Sequence, residues 1–164
     1  MRHILLFRHA EAVPSPGYRD HERPLSPAGR ACATRMGGAL AVREDGIDLI
    51  LVSDSRRTLE TLDLALAAYG QKPEVRLDPQ IYAAQRRDLL VLLAALPEDA
   101  QTVMIVGHNP AIAELALILA GDGASNAFAL LMRGFPPGGL AFLSYPGAWD
   151  DLRAGACRLD AFLT

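Results

Sequence analysis

A chain of 164 residues, 51% hydrophobic and 21% charged, has the length of one domain and too much apolar content for a disordered chain. Its 16 basic residues are outnumbered by 19 acidic ones, for a net charge of -3, which argues against a nucleic-acid footprint. Two cysteines, and a longest apolar run of eight residues from Leu89 to Leu96, exclude a disulfide framework and a membrane span. The expectation is therefore a single domain over residues 1–164, soluble and cytoplasmic, with neither nucleic acid nor membrane as partner.

The N-terminal run Ile4-Leu5-Leu6-Phe7 is too short for a leader and is followed at once by Arg8-His9. A continuous apolar run of this length reads as a strand buried on both faces. Pro14, Pro16, Gly17 and Pro24 mark a loop. Ser26-Pro27 reads as the cap and first residue of a helix with Cys32, Met36, Ala39 and Leu40 on one stripe, ending towards Gly46. Leu49 to Val52 is a second buried strand. Ser53-Asp54 is expected to cap a helix bearing Leu59, Leu62, Leu66 and Tyr69, closed by Gly70.

Glu74 to Leu77 is a short third strand, and Gln85 to Leu96 a helix stopped before Pro97. Thr102 to Val106 is a fourth strand. Gly107-His108-Asn109-Pro110 turns it into a helix with Asn109 as cap and Pro110 at its first position, running to about Ala120 and Gly121. Residues 126–133 fit strand or helix. After the turn Phe135 to Gly139, Leu140 to Tyr145 and Ala156 to Phe162 read as two closing strands, paired antiparallel. Cys32 and Cys157 are expected to be small buried hydrophobes. Strands alternating with helices imply a three-layer α/β/α sandwich on a mostly parallel mixed sheet.

Function in such sheets collects beyond the carboxyl ends of the strands. The first strand delivers Arg8 and His9 there. The second delivers Ser53 and Asp54, with Arg56 and Arg57 in the following helical turn, and the fourth delivers His108 and Asn109. If those strands are neighbours, two imidazoles and two or three guanidinium groups converge. That set suits phosphoryl transfer. The group in flight spreads negative charge over three oxygens, which rigid Arg forks match. A neutral imidazole can attack phosphorus and hold the group covalently. Arg and His then supply the positive charge, so neither metal nor cofactor is expected.

Each residue also has a plainer explanation when taken singly. A histidine after a strand is usually a satisfied side chain, Asn109 is explained by capping, and Arg56 reads as a solvated side chain. His3 and His21 read as non-catalytic. Glu60 either orients Arg57 or forms an exposed helix pair. Only Arg57, a cation placed against the helix dipole, invites a reason of its own. There is no dinucleotide fingerprint, no phosphate loop ending in Gly-Lys-Ser/Thr, no zinc spacing and no Gly-x-Ser-x-Gly elbow.

Four segments, in order, resemble the histidine phosphatase (phosphoglycerate-mutase-like) superfamily. They are Leu6-Phe7-Arg8-His9-Ala10, Asp20 to Gly29 with Arg23-Pro24-Leu25-Ser26, Ser53 to Thr61 with Arg57, Glu60 and Thr61, and Val106-Gly107-His108-Asn109-Pro110. The resemblance implies a phosphoglycerate-mutase-like fold. It makes His9 the nucleophile and Arg8, Arg57 and His108 the phosphate pocket. Arg23 approaches that pocket from the loop, and Arg23 and Asn109 are its candidate substrate contacts. Compactness, Arg-His-Ala and Gly-His-Asn-Pro look most like the small SixA-type branch of phosphohistidine phosphatases.

The departures are Ala10 for Gly, Asp54 for Pro, Glu60 for Gln, and Ala83-Ala84-Gln85 where the family's acid is expected. Glu11, Asp20, Glu22 and Asp88 remain as candidate acids. A basic alkoxide leaving group gains much from a positioned acid, whereas a protonated imidazole leaves more readily. The expected activity is therefore that of a metal-independent phosphatase acting on a phosphorylated protein at phosphohistidine. A small-molecule phosphomonoesterase, a non-catalytic phosphate-recognition module and a metallohydrolase are the alternatives.

Overall fold

The structure, a computed structural model, describes residues 1–43 and 46–164. Seven strands form one sheet: β1 (Arg2–Arg8), β2 (Leu49–Val52), β3 (Glu74–Leu77), β4 (Thr102–Gly107), β5 (Ala120–Gly123), β6 (Leu140–Tyr145) and β7 (Cys157–Leu163). Their order is β3-β2-β4-β1-β6-β7-β5. The β1–β4, β4–β2, β2–β3 and β5–β7 pairs are parallel, and β6 is antiparallel to both β1 and β7.

Five helices cover the sheet: α1 (Pro27–Arg43), α2 (Arg56–Tyr69), α3 (Arg86–Ala94), α4 (Ala111–Leu119) and α5 (Ser125–Arg133). Period-two alternation in β1 builds two cores. Leu5 and Phe7 pack with Met36 and Leu40 of α1 and Leu62 and Ala65 of α2. Ile4 and Leu6 pack with Leu89 and Leu93 of α3, Ile112 and Leu115 of α4, and Leu131 of α5. All four of these β1 residues are fully buried, as the unbroken apolar run predicts. This is the three-layer arrangement expected from the alternating elements.

The two helices on the first face approach closely. An added Cβ at Gly37 would stand 2.1 Å from the Ala65 carbonyl oxygen, so α1 requires glycine there to reach α2. The buried stripe of α1 runs through Gly29, Ala33, Met36, Gly37 and Leu40. Cys32 lies beside it, only half-buried, while Cys157 is buried. The expected run of α1 towards Gly46 crosses residues 44 and 45, which lie outside the described residues.

Several local expectations change. The cap of α2 is Ser55, whose hydroxyl accepts from the Thr58 amide, rather than Ser53-Asp54. Ser55 wins because Ser53 and Asp54 are committed elsewhere, to His108 and His21. Helix α4 begins at Ala111, with the Ile112 amide bonded to the His108 carbonyl, so Asn109 is no side-chain cap. Residues 125–133 are helical. The helix expected to run to about Ala120 and Gly121 stops at Leu119, and Ala120–Gly123 forms β5 although Ala-Gly-Asp-Gly carries no strand pattern. Its partner is β7, and Gly121 lies against the Gly155 carbonyl, where a Cβ would meet the oxygen at 2.0 Å. β3 is an exposed edge strand. Among the described residues no helix is long and apolar enough to cross a membrane.

Candidate active site

Sheet register brings the site together. Arg8 of β1 lies opposite Gly107 of β4, and Val52 of β2 opposite Val106. The three strands thus end within one residue of one another, and the next residues along the chain, His9, His108 and Ser53, emerge close together. Backbone bonds continue the ladder past the strands, from the His9 amide to the Gly107 carbonyl and from the Ser53 amide to the Val106 carbonyl, both at 3.1 Å. The loop before β6 ties down the other side of β1: Gly139 accepts from the Arg8 amide, and Gly138 donates to the His9 carbonyl. The imidazole centroids of His9 and His108 are 5.2 Å apart.

Hydrogen-bond chemistry assigns the tautomers. A carbonyl oxygen only accepts, so His9 Nδ1, 2.8 Å from the Ala10 carbonyl, carries the proton. His9 Nε2 is left with its lone pair and accepts from Arg57 Nε at 3.3 Å. A guanidinium only donates, so His108 Nδ1, 3.5 Å from Arg57 Nη2, is the acceptor. His108 Nε2–H then donates to Ser53 Oγ at 2.8 Å. Thr61 steadies this corner, its hydroxyl accepting from the Ala10 amide and donating to the Arg57 carbonyl.

Arg57, 6% exposed, spans the site. Two further donors go to Asp20, Nη1 to the backbone carbonyl at 2.6 Å and Nη2 to Oδ2 at 3.1 Å. Asp20 lies on a single 3-10 turn (Asp20–Glu22) in the loop after β1. It also accepts from Arg23 Nη1 at 3.0 Å and from the Tyr82 hydroxyl. The bonds from Tyr82, Arg23 and Arg57 hold its carboxyl well below the usual carboxylate range.

Arg8 donates through Nη1 to the Phe135 carbonyl at 2.8 Å, and Asn109 Nδ2 donates to the same oxygen at 2.9 Å. Arg8 Nε and Asn109 Oδ1 are buried without a partner among the described residues. Burial, then the nearby Arg57 charge, lowers the Arg8 pKa. Buried unpaired polar atoms are costly, which fits a pocket built for a polar ligand.

Of the predicted residues, His9, Arg8, Arg57 and His108 are brought together. Arg23 reaches Asp20 and the Val13 carbonyl, and so lies at the rim. Asn109 is turned to Phe135. Glu60 does not orient Arg57; it binds Arg56 and the Leu25 amide. Of the candidate acids, Glu11 accepts from Ser26 and Asp88 caps α3. Sequence reasoning missed the clamp role of Asp20, the reach of Tyr82 and the Phe135 carbonyl. Only the acidic character of Asp20 offered any signal. Among the described residues no three His, Cys, Asp or Glu side chains are grouped to hold a metal ion.

Both imidazoles are held neutral. His9 is pushed down to about 4, chiefly by burial and further by the charges of Arg57, Arg8 and Arg23, against the opposing hydrogen bond to Ala10. His108 is pushed down to about 3 by burial, then by His9 and Arg57. Above the ordinary value of 6.5 both are neutral whether folded or unfolded, so neither makes stability depend on pH. Below it the unfolded chain takes up protons that the folded site refuses, and stability falls as pH drops towards about 4. Thermal melts should lose on the order of 5 °C over that window, with a smaller loss in the double variant His9→Gln, His108→Gln. An equal loss in that variant would assign the acid sensitivity to other groups.

A family model described as histidine phosphatase superfamily (branch 1) matches residues 4–82. An uncharacterized protein of Mycobacterium tuberculosis is 30% identical over 157 residues, covering 94% of this chain and 97% of its own. The fold is shared with a candidate phosphohistidine phosphatase SixA from Nakamurella multipartitia, at 35% identity and TM-score 0.85, over 99% of this chain and 95% of that one. It is also shared with a candidate phosphohistidine phosphatase SixA from Agrobacterium tumefaciens, at 32% identity and TM-score 0.81, over 99% and 97%.

Proposed function

The chain belongs to the histidine phosphatase superfamily and to its small SixA-type branch. From that premise we propose that this phosphatase hydrolyses phosphohistidine on a protein through a covalent intermediate on His9. The observation that carries the reading is the unprotonated His9 Nε2, aimed at Arg57 and backed by the bond from Nδ1–H to the Ala10 carbonyl.

In the first step Nε2 forms a bond to phosphorus while the P–N bond of the substrate breaks, and the departing imidazole, already protonated on its other ring nitrogen, takes the bonding pair and leaves neutral. The positive charge that develops on the His9 ring is stabilised by the Ala10 carbonyl. Arg8 and Arg57 serve the equatorial oxygens. His108 joins them through Nδ1, because an arriving anion raises its pKa and lets that nitrogen donate. In the second step water attacks phosphorus, the His9–phosphorus bond breaks, and inorganic phosphate is released.

The proton inventory supports phosphohistidine over an alkyl ester. Among the described residues the one carboxylate bonded to Arg57 is that of Asp20, and its low pKa keeps it ionised at neutral pH, where it gives no proton to an alkoxide. A groove of about 660 Å³ lies along Ala83 to Arg87 and against Pro110, Ala111 and Glu114, beginning one residue beyond Tyr82 and Asn109. A groove of that size gives room to a protein surface beside the pocket.

The test compares kcat/KM for a phosphohistidine peptide and a phosphoserine peptide, in buffer with chelator. The expected preference for phosphohistidine is roughly hundredfold, the lower end of what a general acid contributes to alkyl esters. Equal or faster turnover of phosphoserine would overturn the choice of substrate and favour a phosphomonoesterase. Loss of activity in chelator would favour a metallohydrolase, and binding of phosphate without turnover a recognition module.

A further inference from the structure

Four rings run outward from the pocket in an unbroken series. The His9 and His108 centroids are 5.2 Å apart, those of His108 and Tyr82 are 5.4 Å apart at 82°, and those of Tyr82 and His21 are 4.9 Å apart at 60°. His108 is 9% exposed, whereas the His21 side chain is 43% exposed, so the series climbs from the pocket floor to the surface. The outer pair comes from separate segments, His21 from the turn Asp20–Glu22 and Tyr82 from the turn Pro79–Ala83. Each ring is tethered by a carboxylate, Tyr82 through its hydroxyl to Asp20 and His21 through Nε2 to Asp54 Oδ1 at 2.9 Å. The Arg57 guanidinium lies 5.9 Å from the Tyr82 ring centre. None of this is needed to bind an anion, since the oxygen ligands are supplied by Arg8, Arg57 and His108.

We infer that Tyr82 and His21 form a leaving-group platform that selects phosphoryl donors with a planar, neutral or cationic ring over those with an alkyl group. Resting on the reading of His9 as nucleophile, the inference adds which side chains meet the group on the far side of phosphorus. A planar ring gains edge and face contacts with Tyr82 and His21 that an alkyl chain of similar size does not. Of the two tethering carboxylates, Asp20 is offset by Arg57 and Arg23, so Asp54 beside His21 is the charge that favours a protonated imidazole over an anionic leaving group.

The test needs no turnover. Calorimetry compares binding of phenylphosphonate and cyclohexylphosphonate, which share the anionic head and a six-carbon ring and differ in whether that ring is planar and aromatic. The wild-type chain should favour phenylphosphonate by roughly three- to tenfold. Tyr82→Leu and His21→Ala should bring the ratio close to one. Tyr82→Phe, which keeps the ring and loses the bond to Asp20, should retain it, and thermal melts identify any variant that has unfolded. An unchanged ratio in Tyr82→Leu, or its loss in Tyr82→Phe, overturns the platform; the second outcome would assign Tyr82 to holding Asp20. Because binding is read directly, the platform can stand while phosphohistidine turnover fails, and the reverse also holds.

Discussion

Replacing His9 by alanine is expected to lower kcat/KM by about ten-thousand-fold or more, as when a nucleophile is removed from a site whose other parts remain. The loss is chemical, because the fold does not rest on this ring. The His9 side chain contacts Ala10, Arg57 and His108, and none of these contacts belongs to either core. Arg8, Arg57 and His108 remain to bind the anion, so vanadate should still bind. The wild-type enzyme, given a labelled phosphoryl donor and quenched in alkali, should carry label that survives base and is lost in acid. His9→Ala should carry none. Turnover above about one percent in His9→Ala would mean that water attacks phosphorus directly, and the covalent step would be abandoned.

Arg57→Lys is expected to cost about a thousandfold, falling mainly on kcat, in line with the loss of an arginine that stabilises a phosphoryl transition state. A lysine is a point charge and cannot replace the fork. In the structure Arg57 serves His9, His108 and the backbone carbonyl and Oδ2 of Asp20 through three nitrogens. A second readout separates this from misfolding. Arg57 depresses the pKa of both imidazoles, so in Arg57→Ala the NMR titrations of His9 and His108 should move upward. A lysine variant within tenfold of wild type, or imidazole titrations that do not move in Arg57→Ala, would remove Arg57 from the centre of the mechanism.

Much of the site was legible because strand ends are legible. Ile4 to Phe7, Leu49 to Val52 and Thr102 to Val106 are apolar runs, and a run that stops at Arg-His or Gly-His places those residues beyond a strand. Helix caps were less legible. Ser53, Asp54 and Ser55 all have suitable side chains, and the cap fell to Ser55 because His108 and His21 claim the other two. Asn109 fits a cap by type, yet its amide is bonded to the Phe135 carbonyl, 26 residues away. Asp20 could be considered only as an acid, because nothing near it in the chain discloses Arg57 or Tyr82.

The amino-acid order by itself determined the segments of β1, β2, β3, β4, β6 and β7, though not β5, and which of them carry polar chemistry at their ends, and it pointed to His9, Arg8, Arg57 and His108 as the residues to join. These properties depend on neighbours within a few positions, where side-chain periodicity and capping act. The tertiary structure decided that the ends of β2, β4 and β1 stand side by side, which imidazole nitrogens keep their lone pairs, and that the loop after β1 folds back to set Asp20 on Arg57. Those outcomes depend on strand register and on hydrogen bonds between residues 37 to 55 positions apart. Such partners are chosen by the packing of the whole sheet, not by any local pattern.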